Sequence, residues 1–309
     1  ARPEDIARYE GRYRGGWDAL RAARHEELKG QGVLDSRWEI SPRDPNSHPW
    51  ESEANREWED LRMATYAAQI EQMDRSIGVV LDAIRARGEL ENTLVMFLSD
   101  NGGCAEFLRE DGEPDRWPGF YARPTIDGRP VTVGNIPGLR PGGDQTFMSY
   151  DLPWANASNA PFRLFKHWVH EGGIATPFIL SWPARVRGGV CHAPYHVKDV
   201  MATCLEAAGA TYPQEHNGRP IEPTTGESFL PAAERADGRM GVFARSAPLF
   251  WEHEGNCAMR DGEWKLVRKY PGDWELYTMT DDRTELNDLA AGESERVNRM
   301  IAEYEAWAA

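Results

Sequence analysis

The apolar residues between positions 59 and 87 recur every three or four positions, which is the spacing of one face of an α-helix. They are Met63, Tyr66, Ile70, Met73, Ile77, Leu81 and Ile84. Gly88 follows them, and glycine readily takes the left-handed conformation of a helix C-terminal cap. The pattern therefore predicts one long amphipathic helix from Glu59 to Arg87.

A continuous apolar run from Thr93 to Leu98 comes after a short turn. Apolar residues without alternation, several of them β-branched or aromatic, are typical of a strand buried on both faces. Residues 174 to 182 predict a second buried strand, and residues 197 to 208 predict a helix closed by Gly209. Helices and buried strands in this order indicate an α/β domain, which we assign to residues 1–240.

The pattern changes after residue 240, where short strand-like runs alternate with turn dipeptides such as Asp261-Gly262. The runs are Val242 to Arg245, Cys257 to Arg260, Trp264 to Lys269 and Trp274 to Tyr277. Apolar residues on one side of Ser294 to Trp307 predict a closing helix. Residues 241–309 are therefore predicted to form a small antiparallel sheet with a terminal helix.

Three other stretches give weaker patterns. Residues 5 to 28 predict helix, and the Pro-containing stretch from Ile40 to Pro45 predicts an irregular surface loop. Residues 104 to 160 are rich in Gly, Pro and Asp, and predict a long excursion with short strands or turns.

The amino-acid composition limits the kinds of molecule that this chain is expected to bind. Lys and Arg number 35 against 50 Asp and Glu, giving a net charge of −15, which disfavours nonspecific binding to nucleic acid or anionic lipid. No apolar stretch approaches the ~18 residues of a membrane span. Cysteines occur at four scattered positions without CxxC spacing, so we expect buried free thiols, with one disulfide left open. They are Cys104, Cys191, Cys204 and Cys257.

Two oxygen-bearing side chains stand at the end of the first predicted strand. Asp100 and Asn101 precede Gly102-Gly103 at the carboxyl edge, where open α/β sheets bind ligands. A carboxylate and an amide oxygen suit a hard divalent cation such as Ca²⁺. An Asx turn that caps the strand is the alternative.

Three long segments follow one another along the chain: Tyr66 to Asp74 with Leu94 to Gly103, then Pro161 to Pro177, and lastly Arg260 to Leu266 with Trp274 to Tyr277 and Asp282 to Leu289. In this order they resemble the type I sulfatase family of the alkaline phosphatase-like superfamily. The resemblance implies an α/β fold whose alkaline phosphatase-like sheet is sandwiched by helices, incomplete here. It also implies a small C-terminal subdomain made of an antiparallel sheet and a helix.

The resemblance assigns roles to three residues. Asp100 and Asn101 would bind the metal, expected to be Ca²⁺. Lys166 would be the catalytic and substrate-binding residue, its ammonium group directed at the sulfate oxygens; outside the matched segment it would be an ordinary surface lysine. We expect the nearby His167 and His170 to be structural residues or to contact the residues that bind the ligand.

The family's nucleophile is a formylglycine made from a Cys or Ser in the motif Cys/Ser-x-Pro-x-Arg. We expect no such motif in this chain, since none of the four cysteines is followed by x-Pro-x-Arg. The upstream Asp pair that completes the metal site is also missing. A single truncation accounts for these gaps, so the chain alone is expected to be inactive.

The complete form is then expected to be a sulfuric ester hydrolase acting on a small-molecule or carbohydrate sulfate ester. A phosphonate monoester hydrolase or phosphodiesterase of the same superfamily is one alternative, and a noncatalytic binding protein with this fold is another.

Residues 252–256 could form the pocket rim or a polar loop, and Trp117, Trp154 and Trp251 could line a pocket or fill the core. Family members are often exported or lysosomal, which favours an exported protein. The alcohol part of the ester and the oligomeric state stay open.

Overall fold

The computed structural model describes residues 1–109, 123–235 and 245–309. Within these ranges the helices are α1 (Pro3–Ala7), α2 (Gly16–Gly30), α3 (Arg56–Ala86), α4 (Asp151–Ser158), α5 (Glu171–Ile174), α6 (Asp199–Ala208), α7 (Leu230–Arg235) and α8 (Ser294–Ala308). The strands are β1 (Val95–Leu98), β2 (Thr132–Val133), β3 (Thr146–Phe147), β4 (Phe178–Ser181), β5 (Glu215–His216), β6 (Arg219–Pro220), β7 (Leu249–His253), β8 (Asn256–Asp261), β9 (Trp264–Arg268) and β10 (Trp274–Thr278).

The chain forms two compact units, each made of separated stretches of sequence. The first contains Ala1–Val80, Asn101–Ala175 and Met279–Asp288; the second contains Leu81–Asp100, Thr176–Thr278 and Leu289–Ala309. The division into residues 1–240 and 241–309 stays a prediction.

Three tryptophans pack together in one core cluster of the first unit. Trp17 meets Trp50 edge to face at 4.7 Å between ring centroids and meets Trp154 in the same way at 5.4 Å. Trp154 is wholly buried, and its indole N–H donates to Glu59 at 2.8 Å. Buried indoles need such a partner because an unpaired N–H loses its hydrogen bond to water. Trp154 is therefore a core residue.

The long helix is confirmed as α3. Beyond its last residue Gly88 has a φ of 73°, Gly88 N–H donates to Arg85 at 2.9 Å, and Glu89 N–H donates to Ile84 at 3.3 Å. This is the hydrogen-bond pattern of a Schellman cap, so the helix ends where the glycine predicted. The apolar face is buried at Met63 but still exposed at Met73.

Strand β1 is confirmed but is only half-buried, so the prediction of a strand covered on both faces is wrong. Among the described residues it pairs with β4 alone, antiparallel, with Leu98 opposite Phe178. Phe178 and Ile179 are themselves exposed, so β4 is not covered either. The predicted second strand also began too early, because Ile174 ends helix α5.

The helix predicted at residues 197 to 208 is confirmed as α6, and Gly209 closes it with a φ of 62°. The small C-terminal antiparallel sheet is also confirmed, with strand order β10-β9-β8-β7. Helix α8 packs on it, burying Met300 against Leu266 and Leu276. Full burial of each such side chain contributes roughly 1.5–3 kcal/mol.

Strand β7 was not predicted, and most of the predicted run from Val242 to Arg245 lies outside the described residues, as does Trp117. The predicted N-terminal helical patch is two helices, α1 and α2. The stretch from Ile40 to Pro45 is irregular, as predicted. The long excursion contains β2 and β3, but also helix α4, which was not predicted.

The four cysteines are free, as expected, but only Cys257 is buried, while Cys191 and Cys204 are exposed. The expectation of buried thiols was therefore wrong for those two. No described helix is both long enough and apolar enough to cross a bilayer.

Candidate functional site

The turn after β1 carries the predicted metal ligands. Asp100 is exposed and Asn101 is half-buried. The Asn101 amide nitrogen donates to the carbonyl of Gly102 at 2.8 Å. This bond uses the amide nitrogen and leaves the role of the amide oxygen as a metal ligand a prediction.

Gly102 and Gly103 follow at a point where neighbouring groups pack closely against the chain. Gly102 N–H donates to the carbonyl of Gly173 at 2.9 Å. A Cβ atom at Gly102 would lie 1.8 Å from the oxygen of Gly172, and one at Gly103 would lie 2.5 Å from the hydroxyl of Tyr150. Gly102 therefore requires glycine because backbone approaches it closely, not for an unusual φ, whereas at Gly103 the closest obstacle is the Tyr150 side chain.

The segment that contains Lys166 lies directly against this turn. Lys166 N–H donates to the carbonyl of Gly103 at 3.1 Å. The structure thus brings the backbone of Lys166 within one hydrogen bond of a residue two positions after Asn101, although 63 residues separate Gly103 and Lys166 in sequence. The roles of Asp100, Asn101 and Lys166 stay predictions.

Glu106 lies beside the ammonium group of Lys166. Its carboxylate oxygen is 2.6 Å from Lys166 Nζ, and both side chains are partly exposed, 57% for Glu106 and 40% for Lys166. An exposed ion pair of this kind is worth at most about 1 kcal/mol, so it can open readily. Burial raises the pKa of the neighbouring Cys104 thiol, which disfavours a thiolate there.

A buried polar network holds the far end of the lysine segment. Glu171 N–H donates to the carboxylate of Glu285 at 2.9 Å, and Arg163 donates to the backbone carbonyl of Glu285 at 3.1 Å. Arg283 donates to the Glu171 carboxylate at 3.1 Å. Glu171 and Glu285 are both buried, so these bonds fix the path of the segment from Arg163 to Glu171.

The two histidines of the segment differ. His170 is wholly buried, and its carbonyl accepts from Gly173 and Ile174 in the first turn of α5. His167 is half-buried and packs edge-on against Trp168 at 4.5 Å. These positions agree with structural histidines, which stays a prediction.

Residues 252–256 complete the hairpin between β7 and β8. Its turn residues Glu254 and Gly255 have φ values of 51° and 84°. The polar-loop interpretation therefore describes the segment, and its role as a pocket rim stays a prediction, as does any role of Trp251.

A metal ion fits the chemistry of Asp100 and Asn101. A carboxylate and an amide oxygen are ligands that Ca²⁺ prefers, but the ion takes six to eight oxygens. These two residues therefore supply part of a site, and the remaining ligands must come from elsewhere.

The expectation that the formylglycine motif is absent needs one correction. Ser181-Trp182-Pro183-Ala184-Arg185 fits the letters Ser-x-Pro-x-Arg. Ser181, however, pairs with Val95, at the opposite end of the strand pair from Leu98 and Asp100. Val95 and Asp100 are five residues apart, roughly 16 Å in extended chain. Ser181 therefore cannot attack a group bound at Asp100.

Three residues around the site were missed from the sequence: Glu106, Asn159 and Glu285. Asn159 accepts a hydrogen bond from Gly103 N–H at 2.8 Å. Glu285 lies in a segment that the resemblance included, so a signal existed for it. Glu106 and Asn159 have no periodicity or motif to mark them, because their importance depends on contacts across more than 50 residues of sequence.

The comparisons with known proteins give the family of this chain. Residues 3–210 match the family model described as Sulfatase. Residues 162–305 match the model of the N-sulphoglucosamine sulphohydrolase C-terminal region. The chain belongs to the sulfatase family, type I, of the alkaline phosphatase-like superfamily. Sulfatases generally use a divalent metal ion and a formylglycine.

Relatives match over much of this chain. It is 29% identical over 314 residues to an uncharacterized sulfatase of Schizosaccharomyces pombe, covering 96% of this chain and 53% of that protein. It is 32% identical over 239 residues to an arylsulfatase of Klebsiella aerogenes, covering 73% of this chain and 47% of that protein. The chain thus spans about half the length of these relatives.

Solved structures confirm the fold class. The crystal structure of Ps i-CgsB superposes with a TM-score of 0.53 at 18% identity, covering 94% of this chain and 54% of that chain. The structure of BT4656 with its substrate D-glucosamine-2-N,6-O-disulfate gives a TM-score of 0.50 at 19% identity, covering 93% and 46%. The predicted α/β fold is therefore correct.

Proposed function

We propose that the complete protein is a sulfuric ester hydrolase that cleaves sulfate monoesters, and that this chain supplies Asp100, Asn101 and Lys166 to its site. The observation that carries the proposal is the hydrogen bond between Lys166 N–H and the Gly103 carbonyl. It attaches the lysine segment to the turn that carries the predicted metal ligands.

In the proposed reaction Asp100 and Asn101 would supply part of the coordination sphere of a Ca²⁺ ion. When bound, the ion would polarise the sulfate group, and a formylglycine outside this chain would supply the nucleophile. Lys166 leaves Glu106 and directs its ammonium group to a sulfate oxygen. There it stabilises the negative charge that builds up as the sulfur–oxygen bond breaks.

The substrate class follows from charge and from the relatives. With a net charge of −15, the protein needs a local cationic site to bind an anionic ester. The structure of Ps i-CgsB with k-i-k-neocarrahexaose and that of BT4656 with its disulfated glucosamine support a carbohydrate sulfate. The arylsulfatase of Klebsiella aerogenes supports an aryl sulfate. No nucleic-acid partner is proposed, and export stays a prediction.

The test is a pair of variants of the complete protein. Lys166→Ala should lower kcat/KM on a sulfate ester by about two to three orders of magnitude, because one preorganised positive contact to the transition state is worth about 3–4 kcal/mol. Asp100→Ala should instead weaken Ca²⁺ binding and be partly rescued by excess Ca²⁺. Added metal should not rescue Lys166→Ala.

The matched control is Lys29→Ala, since Lys29 forms a surface ion pair with Glu26 at 3.6 Å in helix α2. It should keep the parent kcat/KM. Near-parent activity of Lys166→Ala would refute the role of Lys166. Paired sulfate and phosphonate or phosphate esters separate this proposal from the phosphorus-ester alternative, and no turnover of either class would favour a noncatalytic binding protein.

A further inference from the structure

We infer that Asn159 is a positioning residue that fixes the spacing between the metal-binding turn and Lys166. The inference rests on the proposed function, because it takes Asp100, Asn101 and Lys166 as the residues that must be aligned. Asn159 is one residue beyond helix α4 and touches neither the predicted ligands nor the ammonium group in any described contact.

The side-chain amide of Asn159 joins the two segments of the site. Its oxygen accepts from Gly103 N–H at 2.8 Å, and its nitrogen donates to the carbonyl of Leu164 at 3.1 Å. Lys166 N–H in turn donates to the carbonyl of Gly103 at 3.1 Å. These three hydrogen bonds close a ring through Asn159, Gly103, Lys166 and Leu164. The ring fixes the turn and the lysine segment to one amide group.

Asn159 is itself held firmly. Its N–H donates to Ala155 at 3.0 Å as the C-terminal cap of α4, and its carbonyl accepts from Phe162 N–H at 2.9 Å. Helix α4 is anchored in turn by Trp154, which is wholly buried in the tryptophan core. The side-chain amide of Asn159 therefore extends from a rigid element. Through it, the turn and the lysine segment are both held in position relative to the tryptophan core.

The backbone conformation of Leu164 depends on the hydrogen bond that its carbonyl accepts from Asn159. Its φ is 66°, in the left-handed region that costs a non-glycine residue roughly 1–2 kcal/mol. The hydrogen bond from Asn159 to the Leu164 carbonyl stabilises this conformation. Because Leu164 is two residues before Lys166, relaxation of its backbone would move the lysine.

Only an amide provides both contacts. An acceptor is needed for Gly103 N–H and a donor for the Leu164 carbonyl, and both belong to one planar group in asparagine. Aspartate would keep the acceptor for Gly103 but would place an anionic oxygen against the Leu164 carbonyl. Alanine would remove both bonds. The two substitutions therefore separate the two halves of the ring.

The experiment uses the complete protein with Asn159→Asp and Asn159→Ala, measuring kcat and KM on a sulfate ester, the Ca²⁺ dissociation constant and the denaturation midpoint. Asn159→Asp should lower kcat about 10- to 100-fold while Ca²⁺ affinity stays near the parent value, because a displacement of about 1 Å at a catalytic group costs that much. Asn159→Ala should lower kcat and also weaken Ca²⁺ binding, since the turn is released as well.

Asn135→Ala is the matched control. Asn135 is buried in the same unit and bridges Ser149 through two bonds of 3.0 Å, one from its side-chain nitrogen and one to its side-chain oxygen. It should lower the denaturation midpoint by a similar amount and leave kcat near the parent value. Equal loss of kcat in Asn135→Ala and Asn159→Asp would show a general stability effect and overturn the inference.

A double-mutant cycle gives the decisive readout. If Asn159 acts through Lys166, Asn159→Asp should cost little further kcat in a Lys166→Ala background. A full 10- to 100-fold cost in that background, or parent kcat for Asn159→Asp alone, overturns the inference. If Lys166→Ala itself keeps parent activity, the proposed function fails first, so the two failures are distinguishable.

Discussion

Gly102→Ala tests whether the close backbone approach holds the site together. The added Cβ would lie 1.8 Å from the carbonyl oxygen of Gly172 and 3.1 Å from the Cα of Gly173. An ordinary carbon–oxygen contact is about 3.3 Å or more. The turn and the lysine segment must therefore separate by roughly 1.5 Å, because both contacts are with backbone that cannot rotate away.

The expected loss of stability and activity follows from the hydrogen bonds that such a separation breaks. The hydrogen bond from Gly102 N–H to Gly173, now 2.9 Å, would exceed 3.5 Å, and the bond from Lys166 N–H to Gly103 would lengthen with it. Two lost bonds cost about 1 kcal/mol each, and overpacking adds about 1–3 kcal/mol. We expect the free energy of unfolding to fall by about 3–5 kcal/mol, and kcat to fall by about 100-fold.

The assay is urea denaturation of the complete protein together with steady-state kinetics. Gly30→Ala is the control, because Gly30 is an exposed last residue of α2 and an added Cβ would meet no atom within 4 Å. That change should be neutral or stabilising by up to about 1 kcal/mol. If Gly102→Ala unfolds at the parent urea concentration with parent kcat, the reasoning about close approach is wrong.

Two further predictions concern charge. Glu106→Gln should tighten inhibition by inorganic sulfate about two- to fivefold, because it removes an anion that pairs with Lys166 at 2.6 Å; unchanged or weaker inhibition would contradict this. Hydrogen bonds from Arg8, and then from Arg75, lower the pKa of Asp5 from 3.8 to about 2. The ionised carboxylate therefore stabilises the fold above about pH 4, and this contribution is lost as the pH falls toward 2. Urea titrations from pH 7 to pH 2 should show Asp5→Asn least stable relative to the parent at neutral pH, with the difference shrinking below pH 4; a difference independent of pH would count against the assignment.

Local patterns predicted the parts of the fold that local sequence controls. The periodicity of α3 and its glycine cap were sufficient, because a helix and its termination depend on neighbouring residues. The turn dipeptides after residue 240 predicted the small sheet for the same reason. The burial of β1 could not be predicted, since it depends on which strands lie beside it. Helix α5 was missed because four residues are too few for periodicity to appear.

In the candidate site, too, the sequence predicted some features, while others depend on contacts between distant residues. Asp100, Asn101 and Lys166 could be proposed because each belongs to a segment that resembles a family, and the chemistry of each side chain suggests its role. We expect Lys166 near Asp100 and Asn101 because all three must reach one anion. The way in which the two segments are joined could not be derived, because it depends on hydrogen bonds at Gly102, Gly103 and the Asn159 side chain.

Such bonds leave no pattern in the sequence, since a glycine chosen for close approach has the same letter as a glycine in any turn. It follows that substitutions at positions with no reactive group, such as Gly102→Ala and Asn159→Asp, should reduce turnover by about 10- to 100-fold. The reason is that, in the proposed site, the distance between the predicted metal ligands and the Lys166 ammonium group would depend on the backbone segments that carry them.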